Sequence, residues 1–166
     1  MRADVVVRRA TEVELDAVGR LSVDAYLACG QIDCNGDDYS QVLADAHARH
    51  REALVLVAVR EGALVGSVTI CPPNSRFREI SGDGESEFRF LAIDPSAWGT
   101  GLGERLVEHC LAHAREVGSD RLVICVRDTN DAAMALYLRC GFERIPERDW
   151  CPVPGVALLA MQYTLH

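Results

Sequence analysis

A chain of 166 residues with 49% hydrophobic and 25% charged residues has the length and balance of a single globular domain with a substantial core. Its formal charge of −8 argues against a nucleic-acid partner, whose affinity comes from Lys and Arg neutralising phosphates, and is compatible with a small cationic or amine substrate. No apolar run is long enough to span a bilayer, and Met1-Arg-Ala-Asp-Val-Val-Val-Arg-Arg9 has too short an apolar stretch for a signal peptide.

Val5 to Arg8 reads as a first strand. Thr11, with Glu14 three residues on, has the spacing of a helix-capping box. Leu15, Val18, Leu21, Ala25 and Tyr26 then recur at helical period until Gly30. Gly30 to Asp38 is loop chemistry, and Tyr39 to Arg51 is polar and helical in pattern. Leu54 to Arg60 and Leu64 to Cys71 are β-branched runs joined by Glu61-Gly62, a hairpin. Pro72 to Gly84 is a long polar loop. The strand Glu87 to Ile93 leads into a glycine turn, and Leu102 to Val117 is an amphipathic helix burying Leu106, Val107, Cys110, Leu111 and Ala114.

Leu122 to Val126 is a buried strand, and Asn130 to Cys140 a helix closed by Gly141. Phe142 to Ile145 and Val156 to Thr164 are final strands flanking a proline-containing loop. The order β-α-α-β-β-β-α-β-α-β-β predicts one α/β domain over residues 1–166, helices packed on one twisted sheet. Cysteines 29, 34, 71, 110, 125, 140 and 151 show neither a Cys-x-x-Cys pair nor a zinc-like spacing. They read as reduced thiols of a cytoplasmic protein, with no metal site. His109 and His113 share a helix face with Glu108 and Glu116 but lack a third ligand, and read as a solvated face, as do His47 and His50.

The most informative stretch is Phe88-Arg-Phe-Leu-Ala-Ile-Asp-Pro-Ser-Ala-Trp-Gly-Thr-Gly-Leu-Gly-Glu-Arg-Leu106, a strand passing through glycines into a helix. Glycines let backbone N–H groups approach a ligand, and a helix start adds unpaired donors, so the segment predicts a phosphate cradle. A nucleotide P-loop needs Lys-Ser/Thr after its last glycine, whereas Glu104-Arg105 follows Gly103. The spacing Gly99-x-Gly101-x-Gly103 also departs from the dinucleotide fingerprint.

Gly101 and Gly103 do fill the glycine positions of Arg/Gln-x-x-Gly-x-Gly/Ala, the pyrophosphate loop of acyl-coenzyme A-dependent N-acetyltransferases. Asn130-Asp-Ala-Ala133-Met-Ala-Leu136-Tyr137-Leu-Arg-Cys-Gly141-Phe142 matches Asn-x-x-Ala-x-x-Leu-Tyr-x-x-x-Gly-Phe, the second signature of those enzymes. With both in order, the chain resembles the GNAT superfamily of N-acetyltransferases over nearly its whole length. The resemblance implies the acyl-CoA N-acyltransferase fold, a mixed and mostly antiparallel sheet flanked by helices.

It further implies acetyl-coenzyme A (acetyl-CoA) as cosubstrate and transfer of its acetyl group to an amine, by direct attack in a ternary complex. The acceptor is a small-molecule or peptide amine, and the protein a monomer or homodimer. Backbone groups of Leu91, Ala92 and Ile93 would pair with the pantetheine arm. The amides of Trp98, Gly99, Thr100, Gly101, Leu102, Gly103 and Glu104 would face the pyrophosphate. Asn130 and Ala133 would line the arm, Asn130 bonding it or splaying the strands. Tyr137 would protonate the leaving thiolate, and Glu85 or Glu87 would act as base through water. Trp98 stands where the family carries Arg or Gln, and either stacks on the cofactor or covers the loop. A non-catalytic acyl-CoA-binding module is the alternative reading. Asp149-Trp150-Cys-Pro-Val-Pro-Gly155 would shape the acceptor pocket or pin a proline loop.

Overall fold

The computed structural model describes residues 4–32, 38–73 and 75–165. Strands β1 (Val5–Arg9), β2 (Leu54–Arg60), β3 (Ala63–Cys71) and β4 (Glu85–Ile93) pair antiparallel in succession. β5 (Arg121–Arg127) joins β4 in parallel, and β8 (Val156–Thr164) returns antiparallel on β5. β6 (Glu143–Arg144) and β7 (Trp150–Val153) both pair with β8, completing an eight-stranded sheet of order β1-β2-β3-β4-β5-β8-β6. This is the mixed, mostly antiparallel α/β architecture expected.

The sheet is covered on both faces, so its strands alternate between two cores rather than between core and solvent. On β2, Val55 and Val57 pack with Leu15 and Val18 of α1 (Leu15–Ala28). Leu56 and Ala58 point the other way, towards Leu106 and Cys110 of α4 (Leu102–Glu116). α2 (Asp38–Ala44) and α3 (Ala46–Glu52) lie with α1, and α5 (Asp131–Arg139) lies with α4. The helix expected over Tyr39 to Arg51 is thus two. Asp45 leaves helical geometry between them, and its carboxylate caps α3 by accepting from Ala48 N at 3.0 Å. β7 forms inside the expected proline loop.

Two features of β4 create the working space. Its parallel pairing with β5 is confined to Glu85–Arg121, Ser86–Leu122 and Glu87–Val123, after which the strands part. Its register against β3 also slips between Thr69–Arg89 and Ser67–Ala92, placing an extra residue in β4 at Phe90, where φ is +58°. The bulge reverses the alternation, so Phe88, Leu91 and Ile93 face the α4 core while Phe90 joins Cys71 and Phe77 on the other face.

The capping box forms at the first helix. Glu14 accepts from Thr11 N at 2.8 Å and receives both terminal nitrogens of Arg8 at 2.8 Å. The Arg8 bonds chiefly hold its carboxyl down, from 4.5 to about 2. A depressed carboxyl contributes stability that is complete above pH 4.5 and lost as pH falls towards 2. Glu14→Gln should therefore lower the melting temperature by about 2–4 °C at pH 7 and leave it unchanged at pH 2, in parallel thermal scans.

Candidate functional site

A cleft of about 1100 Å³ opens where β4 and β5 part. Leu91, Ala92 and Ile93 line it from β4, Asn130, Ala133 and Tyr137 from α5 and its cap, and Trp98, Gly99, Gly101, Leu102, Gly103 and Glu104 from the turn and α4. These residues lie far apart in sequence, and the splayed strands bring them to one wall.

The turn has the backbone geometry of a tight strand-to-helix passage. Pro95 starts a single 3-10 turn capped by Asp94, whose carboxylate accepts from Ser96 N at 2.9 Å. The chain then reaches Gly101, the left-handed N-cap of α4 with φ +82°, where a built Cβ meets nothing within 4 Å. The first amides of α4 have no carbonyl one turn back to pair with, and their residues Leu102, Gly103 and Glu104 line the cleft. Gly103 serves packing instead. A Cβ there would lie 2.9 Å from Leu136 Cδ2, so glycine lets α4 close on α5.

Three side chains qualify the cradle. Thr100 does not line the cleft; its hydroxyl donates inward to Ala97 O at 2.6 Å. Trp98 Nε1 donates to Ile93 O at 2.9 Å, laying a half-exposed indole along the strand edge. Glu104 at the helix start is ion-paired with Arg139 at 2.9 Å, so the guanidinium that the turn lacks is supplied from α5. Asn130 caps α5, its Oδ1 accepting from Ala133 N at 3.2 Å.

The other end of the cleft is aromatic and charged. Tyr137 is 6% exposed, with its ring edge-on to Phe88 at 5.8 Å, and burial raises its hydroxyl pKa. Tyr26, Tyr39 and Arg89 line the same cleft, and burial raises the Tyr26 and Tyr39 hydroxyl pKa values. Glu79 also lines this end, held by Arg89 Nε at 3.0 Å. Burial lifts its carboxyl above the ordinary 4.5, Arg89 opposes the rise and Glu87 adds to it.

Phe90 at the bulge is held by cations. The Arg89 and Arg49 guanidinium carbons lie 4.4 and 4.6 Å from its ring centre. Arg49 is 1% exposed and donates to Val42 O at 2.7 Å and Leu43 O at 3.0 Å. These contacts over-determine a left-handed φ that a phenylalanine alone would not keep.

The two carboxylates expected as bases are elsewhere. Neither Glu85 nor Glu87 lines the cleft. Glu87 is 0% exposed, accepting from the backbone N of Glu79, Ile80 and Ser81 at 3.0–3.2 Å, and ties down the loop before β4. Glu85 is bound by Arg148 at 2.8 Å and caps Gly82 N at 2.8 Å, which, with burial opposing, holds its carboxyl below the usual range. Their own partners are the physical reason: the loop at 79–81 covers Glu87, and Arg148 holds Glu85. The bulge separately turns Leu91 away from the face that Glu87 shares with Cys71. Glu79 has no sequence signal because it sits in an aperiodic loop.

Three cysteines are poor nucleophiles. Cys71 and Cys125 are pushed up to about 12 by burial, and Cys110 is raised by the same cause. Cys34 lies outside the described residues, and the six others are free thiols. Trp150 is 38% exposed, and Pro152 and Val153 beside it line the cleft.

The sequence pattern of the acetyltransferase (GNAT) family matches residues 17–142, and the chain belongs to that family. It is 40% identical over 83 residues to a mycothiol acetyltransferase of Geodermatophilus obscurus, covering 49% of this chain but only 26% of that relative's length. A ribosomal-protein-alanine N-acetyltransferase from Brucella melitensis superposes with a TM-score of 0.72 and 27% identity, over 96% of this chain and 99% of that one. The N-acetyltransferase PaiA from Thermoplasma acidophilum, solved with coenzyme A, gives 0.73 at 14% identity over 98% and 99% of the two chains, a likeness of fold.

Proposed function

We propose that this domain transfers an acetyl group from acetyl-CoA to a primary amine by direct attack within a ternary complex. One observation carries the proposal. A single cleft joins the amide cradle at the start of α4 to Glu79 and Tyr137 at its far end, along a strand edge left open where β4 leaves β5.

The residues present fit acetyl-CoA. The amides of Gly101 to Glu104 and the Arg139 guanidinium suit its phosphates, and the open edge at Leu91 to Ile93 suits an extended amide-bearing arm. When bound, acetyl-CoA supplies a thioester carbonyl for the amine to attack. Trp98 Nε1 must release Ile93 O for the arm to use that carbonyl, and its ring stays beside the cradle as apolar cover. As the C–N bond forms, Glu79 takes the amine proton, directly or through one water. As the C–S bond breaks, the Tyr137 hydroxyl donates its proton to the thiolate. The raised pKa values fit these roles, since Glu79 becomes a stronger base and Tyr137 keeps its proton until the sulfur needs it.

Thiol release from acetyl-CoA in the presence of amines, with mass analysis of the acetylated product, tests the activity. Tyr137→Phe should lower kcat by about 10–100-fold at unchanged acetyl-CoA affinity. Tight acetyl-CoA binding with no amine-dependent release would instead make the domain a non-catalytic acyl-CoA binder.

A further inference from the structure

The wall opposite the cradle has its own chemistry. Tyr26 of α1, Tyr39 of α2 and Phe90 of the bulge are in contact, with ring centres 6.1 Å apart for the first pair and 6.3 Å for the second. Apolar surface continues to the rim, where Tyr39, Val42 and Val153 line the cleft yet are 37%, 38% and 54% exposed. Large apolar side chains left open around one concavity form a surface whose burial by a ligand is favourable.

Among the described residues, positive charge at this wall matches negative. Glu79, Arg89, Arg127 and Asp38 line the cleft, with Arg49 behind Phe90 and Glu87 behind Glu79. The Glu79 carboxylate is engaged by Arg89 at 3.0 Å, and Glu87 is consumed by backbone N–H groups. The aromatic face that would attract an ammonium group already has two guanidinium carbons within 4.4 and 4.6 Å. Arg127 lies on the β5 side, its Nη1 on Gln31 O at 3.1 Å and its buried Nε without a partner. A substrate with several ammonium groups would meet Arg89 and Arg127 as well as Glu79 and Asp38. A substrate with one reactive amine can place it at Glu79, and the nearby positive charge favours the neutral amine that attacks.

We propose that the acceptor is a monoamine carried on an apolar, preferably aromatic, body, seated on Tyr26 and Tyr39 with the buried Phe90 behind them, and that polyamines and aminoglycosides are disfavoured. This rests on the acetyltransferase reading and specifies its second substrate. The overall charge of −8 acts at long range and steers any amine towards the protein, whereas the residues lining the cleft decide which amine stays. Each methylene buried on the wall is worth about fourfold in affinity, so a phenyl-bearing chain outranks a hydrophilic one by far more than tenfold on contact alone.

The test measures kcat/KM by thiol release at saturating acetyl-CoA for 2-phenylethylamine, spermidine and kanamycin, with acetyl-CoA binding followed separately by titration. The expected result is a kcat/KM for 2-phenylethylamine at least about tenfold above the other two. Tyr39→Ser should raise the KM for 2-phenylethylamine about tenfold while leaving acetyl-CoA affinity unchanged, at the cost of the stability its contacts with Tyr26 and Phe90 supply. Equal or better turnover of spermidine or kanamycin overturns the acceptor class and leaves the acetyltransferase reading intact. So does an unchanged KM in Tyr39→Ser. Binding of acetyl-CoA with no release from any amine overturns both.

Discussion

Glu79→Gln is expected to lower kcat by about 100-fold or more while leaving acetyl-CoA affinity within about twofold of the wild type, because it removes a proton acceptor and keeps the shape. Glu79 is the glutamate at the reacting end of the cleft, bounded by Arg89 on one side and by the loop that Glu87 anchors on the other. The pH profile gives the test its sign. The base works ionised, so wild-type kcat/KM should rise with pH through the carboxyl's own pKa, which burial holds above 4.5. The Gln variant should lose that acidic limb. A variant with normal rate and an unchanged acidic limb would show that Glu79 only holds Arg89. Glu85→Gln and Glu87→Gln should act differently. They remove anchors of the loop and lower stability; the acidic limb persists, moved to lower pH in Glu87→Gln because Glu87 adds to the rise at Glu79.

The second large effect is on stability. Gly19→Ala should cost about 3 kcal/mol, a fall of about 6–12 °C in melting temperature by calorimetry. In an open helix the same change would be favourable by about 1 kcal/mol, since alanine is the better helix former. Here a Cβ would stand 2.1 Å from Ala44 O and 2.9 Å from Ala44 C, main-chain atoms that cannot rotate aside. α1 and the end of α2 touch through this glycine, so the substitution pushes apart the two helices that carry Tyr26 and Tyr39 to the acceptor wall. The KM for the amine should rise with the loss of stability. A melting temperature equal to the wild type would contradict the close approach of these helices.

The legible parts of this protein were those where backbone geometry selects a residue type. Gly101 needs a left-handed φ at a helix start, and Asn130 is a cap, so both leave a trace in a single sequence. The alternating runs of β2 and the amphipathic α4 are legible for the same reason: a repeat reports which face is buried. Glu79 and the Phe90 bulge left no such trace. The bulge is stabilised by Arg49, forty-one positions earlier in the chain and in a separate helix, and nothing local marks it. Strict alternation along β4 would put Glu85, Glu87 and Leu91 on one side, and the bulge at Phe90 moves Leu91 to the other.

Calorimetric titration of acetyl-CoA into the wild type and Gly101→Val tests the central claim, that the turn after β4 holds a phosphate-bearing acyl donor. Open space above Gly101 means that a side chain fits, but a β-branched residue does not keep φ at +82°, so the amides of the turn must reorient. The wild type should bind with a dissociation constant of about 1 μM–1 mM, and Gly101→Val should lose measurable binding while its circular dichroism stays that of the wild type. No heat of binding in the wild type at millimolar acetyl-CoA, or equal affinity in the two proteins, would contradict the account.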